Sequence, residues 1–216
     1  MVTIAPSLAA APLHHLEKVI DDLNRLGVGM IHFDVEDGSF VPVMTLGVKI
    51  ISDLRPLSRL PFDVHLMMRQ PEWIIGPLAE MGADWVSVHY EACPYPRRTL
   101  GLIKRHGMKA GLAFNPKTEL PPLQIYRPHL DYVLILTTEP EYDDAPFLPG
   151  VLEKVARGRQ QLGLEGVKWM VDGGIAPGNI AEVVRAGADI VVVGRSLFKQ
   201  GSLEENYALL KKSMEG

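Results

Sequence analysis

The chain has 216 residues, 47% hydrophobic and 22% charged, a balance that excludes disorder and supports one sizeable core. Its formal net charge of −4 gives no reason to expect nucleic acid as a partner, and the lone Cys93 excludes an internal disulfide framework and suits a reducing compartment.

Apolar runs of strand length alternate with amphipathic stretches along the chain. TIAPSL (3–8) reads as a first strand. In residues 12–27, Leu13, Leu16, Val19, Ile20, Leu23 and Leu26 fall on one helical stripe, with Pro12 in the first turn and Gly27 at the end. MIHFDVED (30–37) follows as a strand, then a weaker helical pattern near 47–55, then the strand FDVHLMM (62–68). A helix over 71–82, the strand WVSVHYEA (85–92) and a helix over 97–107 come next. KAGLAFN (109–115) and YVLILTT (132–138) are strands flanking a weak helical pattern at 118–126. The last units are a helix over 149–163, the strand KWMVDGGI (168–175), a helix over 177–187, the strand DIVVVGRSLF (189–198) and a helix over 202–214. Pro71, Pro149 and Pro177 stand at helix starts, and Gly82, Gly107, Gly163 and Gly187 near helix ends.

Eight strands, each followed by a helical segment, imply parallel strands with helical crossovers. The count points to an α/β fold, a (β/α)₈ barrel formed as a single domain over residues 1–216, although counting alone leaves an open doubly wound sheet standing. The N-terminus has neither a basic region nor a sustained apolar run, and no segment approaches the ~20 apolar residues that span a bilayer. A cytoplasmic protein with no membrane partner is expected.

A barrel carries its chemistry at the C-terminal ends of its strands. Polar residues gather there: Ser7 on strand one; His32, Asp34, Glu36 and Asp37 on strand two; His65 on three; His89 and Glu91 on four. Asn115 ends strand five, Thr137, Thr138 and Glu139 strand six, Asp172 strand seven before Gly173-Gly174, and Gly194-Arg195 strand eight. Strand side chains alternate, so His32 and Asp34 share a face. With His65 and Asp172 they form a donor set that suits Zn²⁺, Mn²⁺ or Fe²⁺, and an internal salt-bridged layer fits the same pattern. Cys93 is expected to be an unreactive thiol, and His14, His15, His106 and His129 to lie at the surface.

IAPSL, IHFDVEDGSFVP, FDVHLM, VSVHYEA, AGLAFNPKT, VDGGI and VVVGRSLF together resemble the ribulose-phosphate 3-epimerase family over nearly the whole chain. The resemblance implies a (β/α)₈ barrel and a metal-dependent carbohydrate 3-epimerase. Its default substrate pair is D-ribulose 5-phosphate and D-xylulose 5-phosphate, and the assembly implied is a homo-oligomer. It implies one divalent ion held by His32, Asp34, His65 and Asp172, with Asp34 and Asp172 also the acid/base pair. Ser7, His65 and Met67 match residues near the substrate, Gly173, Gly174 and Gly194 match half of the family's phosphate cradle, and His89 matches a family histidine expected to support the site through hydrogen bonds.

Three departures bear on the substrate. Glu36 stands where the family usually has Met; it is either a solvated side chain at the rim or a further contact to metal or sugar. Arg195 replaces a small residue and is either a new anion contact or a surface group. TTEPEYDDAPF (137–147) replaces a glycine-rich phosphate loop, with glycine positions taken by Glu141, Asp143 and Asp144, beside Glu139. A carboxylate ~6 Å from a phosphate dianion costs about 3–6 kcal/mol at an effective dielectric of 20–40, before salt screening. A different or non-phosphorylated ketose is therefore the alternative substrate, and a non-catalytic sugar-binding relative the rival class.

Overall fold

The computed structural model describes residues 2–140, 145–161, 163–199 and 201–215. Eight parallel strands form one sheet: β1 (Thr3–Pro6), β2 (Ile31–Glu36), β3 (Phe62–Met67), β4 (Trp85–His89), β5 (Lys109–Phe114), β6 (Tyr132–Leu136), β7 (Lys168–Asp172) and β8 (Ile190–Val193). β1 pairs with β8, and the order then runs back from β8 to β2. A parallel bridge between Ser7 and His32 brings the two ends together, so the barrel closes at the start of the site.

Helices α1 (Leu16–Leu26), α2 (Lys49–Leu54), α3 (Glu72–Glu80) and α4 (Pro96–Arg105) follow the first four strands. α5 (Leu152–Arg159), α6 (Ile180–Arg185), α7 (Arg195–Phe198) and α8 (Leu203–Ser213) follow the last three. No helix among the described residues is long and apolar enough to cross a membrane.

Each strand has two buried faces, as parallel sheets require. The outward residues, such as Ile31, Phe33 and Val35 of β2, pack beneath the helices in one continuous core. The inward residues fill the barrel, where Ala5, Ala113, Tyr132, Leu134, Met170 and Val192 form a second cluster. Gly111 of β5 points inward at the same level. A Cβ there would lie 2.3 Å from the Tyr132 ring, so glycine makes the space that the ring fills.

Several boundaries differ from the expectations. α1 begins at Leu16, because His15 leaves the helical region (φ −130°, ψ 23°), and Leu13–His15 form a separate 3₁₀ turn after Pro12. The expected helix at 118–126 is only a 3₁₀ turn, Leu123–Tyr126. Pro116, Pro121, Pro122 and Pro128 crowd that connection and remove the N–H donors a longer helix would use. β4 stops at His89, leaving Glu91 on a 3₁₀ turn, and β8 stops at Val193, so Arg195–Phe198 is a helix rather than the end of a strand.

Candidate functional site

The inward residues of β2 are His32, Asp34 and Glu36, in register with Asp63, His65 and Met67 of β3. All six are less than 9% exposed, so an imidazole and carboxylate layer sits directly above the apolar barrel filling. Donor atoms of His32, Asp34, His65 and Asp172 lie within 4.8 Å of one another. His32 Nε2 is 3.1 Å from Asp34 Oδ1 and 3.9 Å from Asp172 Oδ2; His65 Nδ1 is 3.2 Å and 3.8 Å from the same two atoms.

Three of the four, His32, His65 and Asp34, are held from behind. His32 Nδ1 is 2.6 Å from Asp63 Oδ2, and the Tyr132 hydroxyl donates to Asp63 Oδ1 at 2.6 Å. His65 Nε2 is 2.8 Å from His89 Nε2, and His89 Nδ1 is 3.1 Å from Glu91 Oε2. Glu91 Oε1 accepts the Asn115 N–H at 2.9 Å. Ser7 Oγ donates to Asp34 Oδ2 at 2.6 Å. A second layer that orients imidazoles and carboxylates in this way is what a metal ligand set requires.

The electrostatics are those of a site with surplus negative charge. Burial alone would raise the Asp34 carboxyl, but His32 and then His65 hold it well below the usual carboxylate range. Asp172 is pushed up to about 6 by burial and by the neighbouring Asp34 charge. Burial opposes a charged His32, yet Asp34 and Asp63 outweigh it and raise its pKa well above the ordinary value. His89 is pushed down to about 4 by burial, against the pull of Glu91. Two imidazoles and two carboxylates converging on one point, with one acid raised by its neighbour's charge, fit a divalent cation.

Beside this cluster is a cleft of about 590 Å³. Ser7, Glu36, Thr45 and Asp172 line it, with Gly173, Gly174, Gly194, Arg195 and Lys199 on the β7–β8 side and Glu139 on the loop after β6. Gly173 and Gly174 have φ of +112° and +66°, and a Cβ on Gly173 would lie 2.4 Å from Thr138 Cγ2, so this turn requires glycine. The Asn179 amide holds the turn by donating to the Gly174 carbonyl at 3.0 Å and accepting from the Ala176 N–H at 2.8 Å.

The expected site residues thus fall in one region, with distinctions. Met67 is buried next to Glu36 in the β2–β3 register and is not part of the cleft wall. Glu36 is not a solvated rim residue: it is 8% exposed, and its Oε2 accepts the Thr45 N–H at 2.5 Å. Burial raises its carboxyl pKa, with the Thr45 N–H working the other way. It is also outside the four-residue donor set found among the described residues. Of the loop acids, exposed Glu139 faces the cleft, and Glu141, Asp143 and Asp144 lie outside the described residues. The Cys93 thiol is buried and pushed up to about 12 by burial and the Glu72 charge, so it is inert at neutral pH. Asp63, Tyr132 and Thr45 were not legible as site residues. Asp63 carried a signal, standing two residues before His65 on the same strand face.

Residues 3–198 match the model of the ribulose-phosphate 3 epimerase family. The chain is 37% identical to ribulose-phosphate 3-epimerase of Bacillus subtilis, over 99% of this chain and 100% of that one. It is 38% identical to the Aquifex aeolicus enzyme of the same name (99% and 97% covered) and 36% identical to that of Escherichia coli K12 (91% and 89%). Among solved structures, KGPDC from Streptococcus mutans aligns with a TM-score of 0.72 at 12% identity, covering 99% of this chain and 97% of that one. A 3-hexulose-6-phosphate synthase aligns at 0.67 with 17% identity, covering 99% and 100%. These two likenesses establish the barrel and nothing finer.

Proposed function

The chain belongs to the ribulose-phosphate 3-epimerase family, and we propose that D-ribulose 5-phosphate and D-xylulose 5-phosphate are the pair it interconverts. It is a carbohydrate epimerase that inverts C3 of a ketose phosphate. The observation that carries this reading is the convergence of His32, Asp34, His65 and Asp172 beside a cleft with a glycine turn at its far side.

These four residues would hold one divalent ion, with Zn²⁺, Mn²⁺ and Fe²⁺ all suited to the donors. When bound, the ion supplies Lewis-acid stabilisation of the negative charge that develops on the C2 oxygen as the C3 proton leaves. Asp34 and Asp172 serve as the acid/base pair. They come from β2 and β7, so a sugar lying between them meets one carboxyl on each face. Inversion needs one carboxylate to take the proton while the other carboxyl donates one, and environments that push two acids apart favour that division. In the metal-free chain Asp34, held low by its histidines, and Asp172, raised toward neutrality, are such a pair.

The Gly173-Gly174 turn lines the cleft with bare backbone, and Arg195 and Lys199 line it on the same side, which suits a phosphate. Glu139 on the opposing loop favours a second reading, a ketose other than the default or one without phosphate. We place the enzyme in the cytoplasm as a homo-oligomer, as the reducing-compartment composition and the family resemblance support.

Deuterium incorporation at C3 from D₂O, followed by NMR over a panel of ketoses and ketose phosphates with added divalent ions, tests both readings. Exchange confined to pentulose 5-phosphates is the expected result. Exchange with free sugars moves the assignment to the second reading, and no exchange anywhere leaves a sugar-binding relative.

A further inference from the structure

We propose that Glu36 is a specificity-determining residue whose carboxylate accepts a hydrogen bond from the substrate hydroxyl remote from the phosphate, the C1 hydroxyl of a ketose 5-phosphate. The inference rests on the epimerase reading and concerns which end of the sugar the β2 side of the cleft grips.

Glu36 ends β2 on the face that carries His32 and Asp34, and it lines the cleft. Its side chain is fixed rather than mobile. Thr45 donates its N–H to Oε2 at 2.5 Å, and the Thr45 hydroxyl reaches Oε1 only at 3.3 Å. A carboxylate offers about four acceptor sites, so one oxygen is anchored and the other retains most of its capacity. With Glu36 only 8% exposed, that capacity is costly to leave unmet. Glu36 lines the cleft, so a further donor reaches it from there.

The fold sets which donor arrives. The glycine turn and Arg195 lie at the ends of β7 and β8, and β1 stands between β8 and β2. A ketose 5-phosphate with its phosphate at β7–β8 and C3 between Asp34 and Asp172 extends its C1 end toward β2. A fixed, buried acceptor there matches a hydroxymethyl group and penalises a methyl group, which would leave the oxygen unpaired.

The test compares D-xylulose 5-phosphate with 1-deoxy-D-xylulose 5-phosphate in C3–H exchange, using the wild-type chain, Glu36→Met and Glu36→Gln. The wild type is expected to favour the hydroxylated substrate roughly 10- to 100-fold in kcat/KM. Glu36→Met, which removes the acceptor, should reduce that ratio below about threefold, and Glu36→Gln, which keeps a neutral acceptor, should fall between. Calorimetric binding of xylitol 5-phosphate and its 1-deoxy analogue reads the same preference without turnover. Equal handling of both compounds by the wild type, or a wild-type ratio retained in Glu36→Met, overturns the proposal. Selective binding without exchange of any ketose phosphate overturns the epimerase reading and leaves the Glu36 contact standing. Absence of both exchange and binding overturns the two together.

Discussion

His65 Nε2 stands 2.8 Å from His89 Nε2, so one of these nitrogens donates and the other accepts. His89 Nδ1 faces the Glu91 carboxylate and therefore carries its proton there, which leaves His89 Nε2 as the acceptor. His65 must then carry its proton on Nε2. When the ring is neutral, its Nδ1 lone pair then faces the point where Asp34 and Asp172 converge, the form that a metal ligand needs. A residue outside the donor set thus sets the tautomer of one that would hold the ion.

Glu91→Gln, which reaches His65 only through His89, should weaken divalent-ion affinity by less than the roughly 10- to 100-fold usual for losing a direct outer partner of a metal-ligating histidine. Competition against a chromophoric chelator measures it. An unchanged affinity removes Glu91 from the site.

Asp63→Asn leaves a single carbonyl oxygen between His32 Nδ1 and the Tyr132 hydroxyl, both of which need an acceptor at this fully buried position. The expected loss of stability is about 1–3 kcal/mol, read as a shift of the denaturant midpoint in EDTA. Added metal should recover less in the variant than in the wild type.

Asp34→Asn and Asp172→Asn should each lower C3 exchange by at least about 100-fold, the lower bound for a positioned acid or base. Single-turnover deuterium incorporation is the appropriate reading. Full exchange in either variant would show that the pair is misassigned.

Metal uptake should release protons in a pH-dependent way. In the metal-free chain His32 is raised well above its ordinary pKa, so loading the site at neutral pH displaces about one proton. Below pH about 6 Asp172 is protonated as well, and release should climb toward about two. The same shift has a sign in stability. Raised from 3.8 to about 6, Asp172 contributes stability to the metal-free fold that is present below about pH 3.8 and lost as pH rises through about 6. Stabilisation by added metal should therefore grow with pH across this window, measurable by calorimetry in buffers of different ionisation enthalpy and by thermal scans.

Gly111→Ala should destabilise the barrel by about 1–3 kcal/mol, since its Cβ would meet the Tyr132 ring at 2.3 Å and neither group has room to move. Displacing Tyr132 also loosens Asp63, so metal affinity should fall along with the melting temperature.

Much of the architecture was legible because the hydrophobic pattern is local. The alternation of apolar runs located all eight strands, and the period-two spacing of His32 and Asp34 put both on one face. The connection after β5 misled because apolar spacing at 118–126 resembles a helix while its prolines forbid one. Likewise the apolar continuation past Gly194 resembled a strand, yet the pairing partners end with Val193.

By itself, the sequence determined the donor types, their strands and their parity, since these follow from residue identity and backbone geometry. Only the tertiary structure decided what lies behind and across from each donor. The parallel registers of β2 with β3 and of β3 with β4 set Asp63 behind His32 and His89 behind His65, and the loop after β2 folds Thr45 against Glu36. Those partners are separated along the chain by as many as 31 residues and meet because eight twisted strands share one interior, a condition that no local pattern encodes.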